Sequence, residues 1–91
     1  REYPVYYMSK QRADLPEGTD TKALFARIAE RFASDHPNTI DGVKIDFPSS
    51  WVHMRASNTE PIVRIYTEAP TEEEANRLGE KFCNIVLEML R

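Results

Sequence analysis

Residues 43–68, VKIDFPSSWVHMRASNTEPIVRIYTE, alternate between apolar and polar side chains in three short runs. A period of two is typical of strands that bury one face. The runs cover Val43 to Phe47, Trp51 to about Arg55, and Ile62 to about Glu68. Pro48-Ser49-Ser50 and a second polar stretch supply turns between them. Because these connections are short, we expect neighbouring strands to pair antiparallel.

A helix is predicted before these strands, from about Thr21 to Ser34, with Asp20 or Thr19 as its cap. Its apolar residues recur at helical spacing: Leu24, Phe25, Ile28, Ala29 and Phe32. His36-Pro37 ends it, because proline disfavours helical backbone at the preceding residue.

A second helix is predicted to begin at Thr71, which forms a capping-box pattern with Glu74. Its buried stripe is Ala75, Leu78, Phe82, Ile85, Val86 and Met89. The acidic residues 72–74 fall in the first turn, where the helix dipole favours negative charge. They are therefore interpreted as a solvated helix start rather than a metal site.

The beginning of the chain has no clear period. Residues 1–9 carry three tyrosines, and they either pack on this domain's own core or link it to a neighbouring domain. We assign 1–9 as an interdomain linker and 10–91 as the domain, with a short strand at 10–15 and a turn at 16–18. The first residue is not methionine, so we expect a fragment of a longer protein.

These elements predict an α+β fold: a two-layer sandwich with an antiparallel sheet of about four strands and two helices on one face. The length of 91 residues corresponds to one small domain, and the charged fraction of 30% is ordinary for a soluble protein. The net charge of −3 argues against nucleic acid as a partner. No apolar run reaches membrane-spanning length, so we expect no membrane partner.

The second and third strands predict a pair of facing arginines. If their hairpin is symmetric about Thr59 and Glu60, Arg55 lies opposite Arg64. Like charges directly opposite in a sheet are destabilising, and an anion bound between them would turn repulsion into attraction. The alternative for Arg64 is a surface ion pair with Glu68 or Glu60.

The loop of this hairpin, Arg55-Ala56-Ser57-Asn58-Thr59-Glu60-Pro61, is rich in hydrogen-bond donors. Guanidinium, hydroxyl, amide and backbone N–H groups together suit a tetrahedral oxyanion such as a phosphate ester. The plainer alternative is that Ser57, Asn58 and Thr59 form a turn and bond only their own backbone. Glu60 would repel an anion, so we expect it to point away or to orient an arginine.

Other reactive side chains give no catalytic pattern. His36 and His53 have no partner at metal-ligand spacing, and we interpret both as ordinary polar residues. The single Cys83 falls in the apolar stripe of the second helix, so we expect a small buried residue and a reducing, cytoplasmic compartment.

The loop, together with Arg64-Ile65-Tyr66-Thr67-Glu68-Ala69, resembles the phosphate-binding loop of the α-D-phosphohexomutases. Asp41-Gly42-Val43 also resembles that family's Asp-Gly-Val/Leu strand. The resemblance covers about residues 10–91 and implies the C-terminal, fourth domain, with a TATA-box-binding-protein-like fold. Asn58, where the family often has glycine, is more similar to the phosphomannomutase/phosphoglucomutase branch.

The resemblance implies an isomerase, an intramolecular phosphotransferase of carbohydrate metabolism that interconverts hexose 1-phosphate and 6-phosphate through a hexose bisphosphate. The first domain would carry a phosphoserine, the second would bind Mg²⁺, and the third would contact sugar hydroxyls. The fourth would bind the phosphate that is not reacting, through Arg55, Ser57, Asn58 and Thr59, with Arg64 added from the hairpin argument. The chain alone would be inactive.

A second hypothesis is a stand-alone binding module for a protein or nucleic-acid partner, because a shared fold does not determine function. A protein partner would contact the aromatic residues within the segment 3–8.

Overall fold

The structure is a computed structural model, and it describes residues 6–39, 41–57 and 59–90. Within these residues the chain forms four strands, two α-helices and one short 3-10 helix. In chain order they are β1 (Tyr7–Asp14), α1 (Thr21–Arg31), the 3-10 helix (Ala33–Asp35), β2 (Val43–Asp46), β3 (Trp51–Ala56), β4 (Ile62–Ala69) and α2 (Glu72–Met89).

The strands form one antiparallel sheet in the order β1-β4-β3-β2. The first strand of the chain therefore lies at one edge, next to the last strand. Its Tyr7 end pairs with Ala69, and its Asp14 end pairs with Ile62, where the β3–β4 loop rejoins the sheet. The predicted α+β sandwich, with two helices on one face, is confirmed.

The core lies between the sheet and the helices. Val52, Met54, Val63 and Ile65 face the helices and are fully buried, as the alternation predicted. Leu24 and Ile28 of α1 belong to the same cluster. From α2 come Phe82, Ile85 and Val86, and the Phe82 ring centroid lies 5.2 Å from that of Phe32. We call the other side of the sheet, on which no helix of the described residues packs, the open face.

The helix starts follow their capping residues. The Asp20 carboxylate accepts from the Ala23 amide at 3.1 Å, so Asp20 rather than Thr19 caps α1. The Thr19 hydroxyl donates instead to the Pro16 carbonyl at 2.6 Å. Thr71 caps α2 by accepting from the Glu74 amide at 3.1 Å, and its hydroxyl lies 3.2 Å from the Glu74 carboxylate.

Two predicted boundaries were wrong. Helix α1 ends at Arg31, because Phe32 leaves the helical backbone region (φ −109°, ψ 27°). Ala33–Asp35 then form a tighter 3-10 turn that ends at His36, which has left-handed backbone (φ 53°). Strand β1 begins at Tyr7 rather than residue 10, so Tyr7, Met8 and Ser9 pair with β4. Residues 1–5 lie outside the described residues, and the linker assigned to 1–9 stays a prediction.

Candidate functional site

Two arginines face each other on the open face. The β3–β4 register pairs Arg55 with Arg64, Met54 with Ile65 and His53 with Tyr66, as predicted from the hairpin symmetry. The two side chains are about half exposed, Arg55 at 52% and Arg64 at 48%. The neighbouring inner-face residues Met54, Val63 and Ile65 are fully buried, so both arginines lie on strands that are packed against the core, next to the β3–β4 loop.

Among the described residues, Arg55 and Arg64 each have an acidic neighbour, and the two separations differ. Arg55 Nη2 lies 3.2 Å from an oxygen of Asp41. Arg64 Nη2 lies 3.9 Å from Glu60, which is too long for a hydrogen bond. Glu68, the other partner considered for Arg64, instead accepts from the Trp51 indole N–H at 2.9 Å. Glu60 thus lies near an arginine, one of the two positions expected for it, without forming a hydrogen bond to Arg64.

The loop between the strands is organised around one hydroxyl oxygen. Ser57 Oγ accepts from the backbone amides of Thr59 and Glu60, both at 3.3 Å, and lies 3.5 Å from Thr59 Oγ1. Ser57 therefore bonds the loop's own backbone here, as the turn-forming alternative predicted. Asn58 lies outside the described residues.

A shallow depression adjoins these groups on the open face. Its volume is about 250 Å³, and its lining is Arg55, Ala56, Ser57, Arg64 and Tyr66. It has room for a group much larger than a water molecule, whose share of liquid volume is about 30 Å³. The structure thus brings Arg55, Ser57 and Arg64 together around one space that is open to solvent.

Sequence reasoning missed two residues near this space. Arg12 lies directly opposite Arg64 on the β1 side, so three arginines form a row across β1, β4 and β3. Asp41 contacts Arg55, although the sequence analysis named it only in the resemblance to the family's Asp-Gly-Val/Leu strand. A β2–β3 hairpin centred on residues 48 and 49 would have placed Gly42 opposite Arg55 and Asp41 next to it.

His53 and Cys83 contact groups on neighbouring segments of the chain. His53 Nε2 lies 2.7 Å from the Asp41 carbonyl oxygen, and since a carbonyl only accepts, this nitrogen carries the proton. Cys83 is half-buried against β1, with its sulfur 3.7 Å from Gln11 Oε1. Burial, and then the charge of Glu80, raise the pKa of the Cys83 thiol.

Residues 6–39, 41–57 and 59–90 contain no group of three or more histidine, cysteine or acidic side chains placed to hold a metal ion. Neither α1 nor α2 is long and apolar enough to cross a membrane.

The described residues form a small antiparallel α+β domain with two facing arginines beside a hairpin loop, and sequence comparison gives the family. Residues 12–85 match the family described as phosphoglucomutase/phosphomannomutase, C-terminal domain, and the chain belongs to that family.

Three individual relatives illustrate the similarity in sequence. A phosphoglucomutase/phosphomannomutase of Thermococcus kodakarensis is 41% identical over 92 aligned positions, which cover 99% of this chain and 20% of the relative. A probable phosphoglucosamine mutase of Methanopyrus kandleri is 36% identical over 88 positions, which cover 93% of this chain and 19% of the relative. A phosphomannomutase/phosphoglucomutase of Pseudomonas aeruginosa is 48% identical over 46 positions, covering 50% and 10% respectively.

The chain spans about a fifth of the length of the first two relatives. Relatives named for phosphoglucomutase/phosphomannomutase and relatives named for phosphoglucosamine mutase both match over most of the chain. The branch suggested by Asn58 therefore stays a prediction.

Proposed function

We propose that this chain is the domain of a phosphohexomutase that binds the non-reacting phosphate of a hexose phosphate or hexose bisphosphate. The parent enzyme would interconvert hexose 1-phosphate and hexose 6-phosphate, with glucose or mannose as the sugar. The proposed phosphate contacts are Arg55, Ser57, Asn58, Thr59 and Arg64. Asn58 is included on the resemblance alone, since it lies outside the described residues.

The observation that carries this proposal is the direct pairing of Arg55 with Arg64. Side chains directly opposite in an antiparallel pair have β-carbons about 5 Å apart, and like charges there destabilise the sheet. A phosphate dianion between the two guanidinium groups would accept charge-assisted bonds from both. The depression that the two side chains line is open to such an anion.

The loop amides give a second line of support. The N–H groups of Thr59 and Glu60 converge on a single oxygen, that of Ser57. Successive amides that point at one spot form a concavity suited to an anion. A phosphate oxygen would replace Ser57 Oγ as the acceptor, and the serine hydroxyl would then be free to donate to the same phosphate.

A site that contacts only phosphate fits the isomerisation. Binding the remote phosphate supplies energy that positions the reacting end of the sugar. Because the proposed contacts include no sugar hydroxyl, either phosphate of the bisphosphate fits equally well, and the sugar binds in both orientations. Phosphoryl transfer would require the phosphoserine and Mg²⁺ of other domains, so we expect this chain alone to be inactive. The partners of this chain would then be the upstream domains of the parent enzyme, which we expect in the cytoplasm.

The proposal is tested by following backbone amide NMR shifts while the chain is titrated separately with glucose 1-phosphate, mannose 6-phosphate and a short RNA. We expect weak binding of both sugar phosphates, with shifts confined to residues 55–64, and no saturable binding of RNA. Arg55→Ala should abolish the shifts. Arg77→Ala is the matched control, since Arg77 is an exposed arginine on α2 that pairs with Glu73.

Shifts that spread over residues 6–8 without a response at 55–64 would contradict the proposal, and so would tighter binding of RNA than of sugar phosphate. Loss of binding in both arginine variants would mean that general charge, rather than this site, attracts the anion.

A further inference from the structure

The turn before β2 brings a carboxylate to the proposed phosphate site. Asp41 Oδ2 lies 3.2 Å from Arg55 Nη2. The backbone carbonyl of the same residue accepts a bond from His53 Nε2 at 2.7 Å. Asp41 is therefore held to β3 at two points, one through its backbone and one through its charged side chain.

The next residue keeps this turn close to β3. Gly42 has positive φ (74°), and a β-carbon there would overlap the Met54 carbonyl oxygen and come within 3.3 Å of the Arg55 α-carbon. Only glycine allows the two backbones to approach so closely. The position of Asp41 beside Arg55 is thus built into the backbone of the hairpin.

We propose that Asp41 is a built-in counter-ion that competes with phosphate for Arg55 and weakens phosphate binding at this site. The inference rests on the proposed function, since it concerns the same site. Its ligand is a phosphate dianion, and its role is to keep the affinity of the site low enough for release.

The solvent exposure of Arg55 and Asp41 determines whether phosphate can displace the Asp41 carboxylate from Arg55. The side chains of Arg55 and Asp41 are 52% and 65% exposed, and exposed ion pairs are weak. A dianion that also bonds Arg64 and the loop amides can therefore displace the carboxylate from Arg55. The carboxylate remains nearby after displacement, and its repulsion of the phosphate opposes binding.

Weakened binding has a use in the proposed reaction. Between its two phosphoryl transfers, the bisphosphorylated sugar must release one phosphate from the site and present the other. Tighter binding that is equal before and during the chemical step does not accelerate that step. A counter-ion that takes back Arg55 as phosphate leaves would favour the exchange.

The test compares the affinity of the chain for inorganic phosphate in the wild type, Asp41→Asn and Asp46→Asn, by NMR titration at low ionic strength. Asp46→Asn is the matched control. It removes the same charge, but Asp46 pairs with Lys44 at 3.6 Å and lies opposite Trp51, away from Arg55.

We expect Asp41→Asn to bind phosphate roughly twofold to fivefold more tightly, the size of an exposed ion pair. Asp46→Asn should bind like the wild type. Asp41→Ser is a second variant that removes the charge with a smaller side chain, and thermal unfolding of each variant checks that it folds.

Equal or weaker binding by folded Asp41→Asn and Asp41→Ser would overturn the inference, since Asp41 would then be neutral or would position Arg55. An equal gain in Asp46→Asn would also overturn it. If the wild type does not bind phosphate and Arg55→Ala changes nothing, the proposed function fails instead, and the two failures are distinguishable.

Discussion

Arg12 and Arg64 lie directly opposite each other on β1 and β4, and Arg55 lies opposite Arg64 on its other side. Arg64 is thus the centre of a row of three cations in a chain of net charge −3. Asp41 lies 3.2 Å from Arg55, whereas the carboxylates near the other two arginines are more distant. Arg12 lies 3.9 Å from Asp14, and Arg64 lies 3.9 Å from Glu60.

Arg64→Gln should stabilise the ligand-free domain and weaken its response to phosphate. Removing the central cation relieves two like-charge pairings, each worth a few tenths of a kcal/mol. We expect the free energy of unfolding to rise by about 0.5 kcal/mol, and the increase in Tm on adding phosphate to shrink. Both are measured by thermal unfolding with and without phosphate.

Lys10→Gln is the control for Arg64→Gln, because Lys10 lies on the same face but opposite the uncharged Tyr66. It should leave stability nearly unchanged. A loss of stability in Arg64→Gln, with the phosphate response intact, would remove Arg64 from the proposed site.

Gly42→Ala should destabilise the domain more than Gly18→Ala. Both glycines have positive φ, at 74° and 83°, so each substitution carries the cost of left-handed backbone, about 1–2 kcal/mol. Only residue 42 adds an overlap with the Met54 carbonyl, since a β-carbon at residue 18 meets nothing within 4 Å. Denaturant unfolding of the two variants measures the difference, and equal losses would show that β3 yields to the added carbon.

Thr67→Val should cost about 1 kcal/mol of unfolding free energy despite its similar shape. Thr67 is fully buried, and its hydroxyl donates to the Ala75 carbonyl at 2.7 Å, joining β4 to the first turns of α2. Thr19→Val is a matched control, because that hydroxyl donates to the Pro16 carbonyl at 2.6 Å but is exposed. Water can replace the exposed bond, so the control should lose less in chemical denaturation. An equal loss would mean that burial does not set the cost.

Cys83 should react slowly with iodoacetamide in the folded protein at pH 8. Burial, and secondarily Glu80, raise its pKa and lower its thiolate fraction. Glu80→Gln should increase the rate modestly, and unfolding in guanidinium chloride should increase it strongly. A native rate equal to the unfolded rate would contradict the burial.

The same shift gives Cys83 a defined effect on stability against pH. Below the ordinary thiol pKa, the cysteine is protonated in both states and its contribution is fully present. As pH rises through that value, the unfolded state ionises first, and stability is lost up to the raised pKa of the folded state. The Tm of the wild type should therefore fall more than that of Cys83→Ala on going to alkaline pH.

The sequence predicted the hairpin better than the first strand, for a physical reason. The inner positions of β3 and β4 are strongly apolar, so their alternation specifies both face and register. The inner positions of β1 include Ser9 and Gln11, which hide the period of two. The Gln11 amide donates to the Asn76 carbonyl at 3.2 Å and lies 3.3 Å from Ser9 Oγ. The hydrogen bond from Gln11 to Asn76 depends on α2, so the sequence of β1 alone does not indicate it.

The candidate site likewise contains residues that the sequence placed together and residues that it did not. The facing of Arg55 and Arg64 follows from one local hairpin, so the sequence alone predicted it. Arg12 joins the row only because β1 pairs with the last strand, and Asp41 reaches Arg55 only because Gly42 lies against β3. Such placements depend on contacts between distant segments, which a local pattern does not specify.

Strand β1 pairs with β4 over its full length, so a rotation of the sheet about the Tyr7 end of β1 moves the opposite end of both strands. Residue 6 lies next to the Tyr7 end of β1, and Ile62, where the β3–β4 connection rejoins the sheet, lies opposite the Asp14 end, about 24 Å away for seven strand steps. A rotation of about 10° about the Tyr7 end displaces Ile62, at the far end, by about 4 Å. This displacement is more than the length of a hydrogen bond. At the proposed phosphate site, such a rotation is therefore enough to make or break contact with an anion that is held elsewhere.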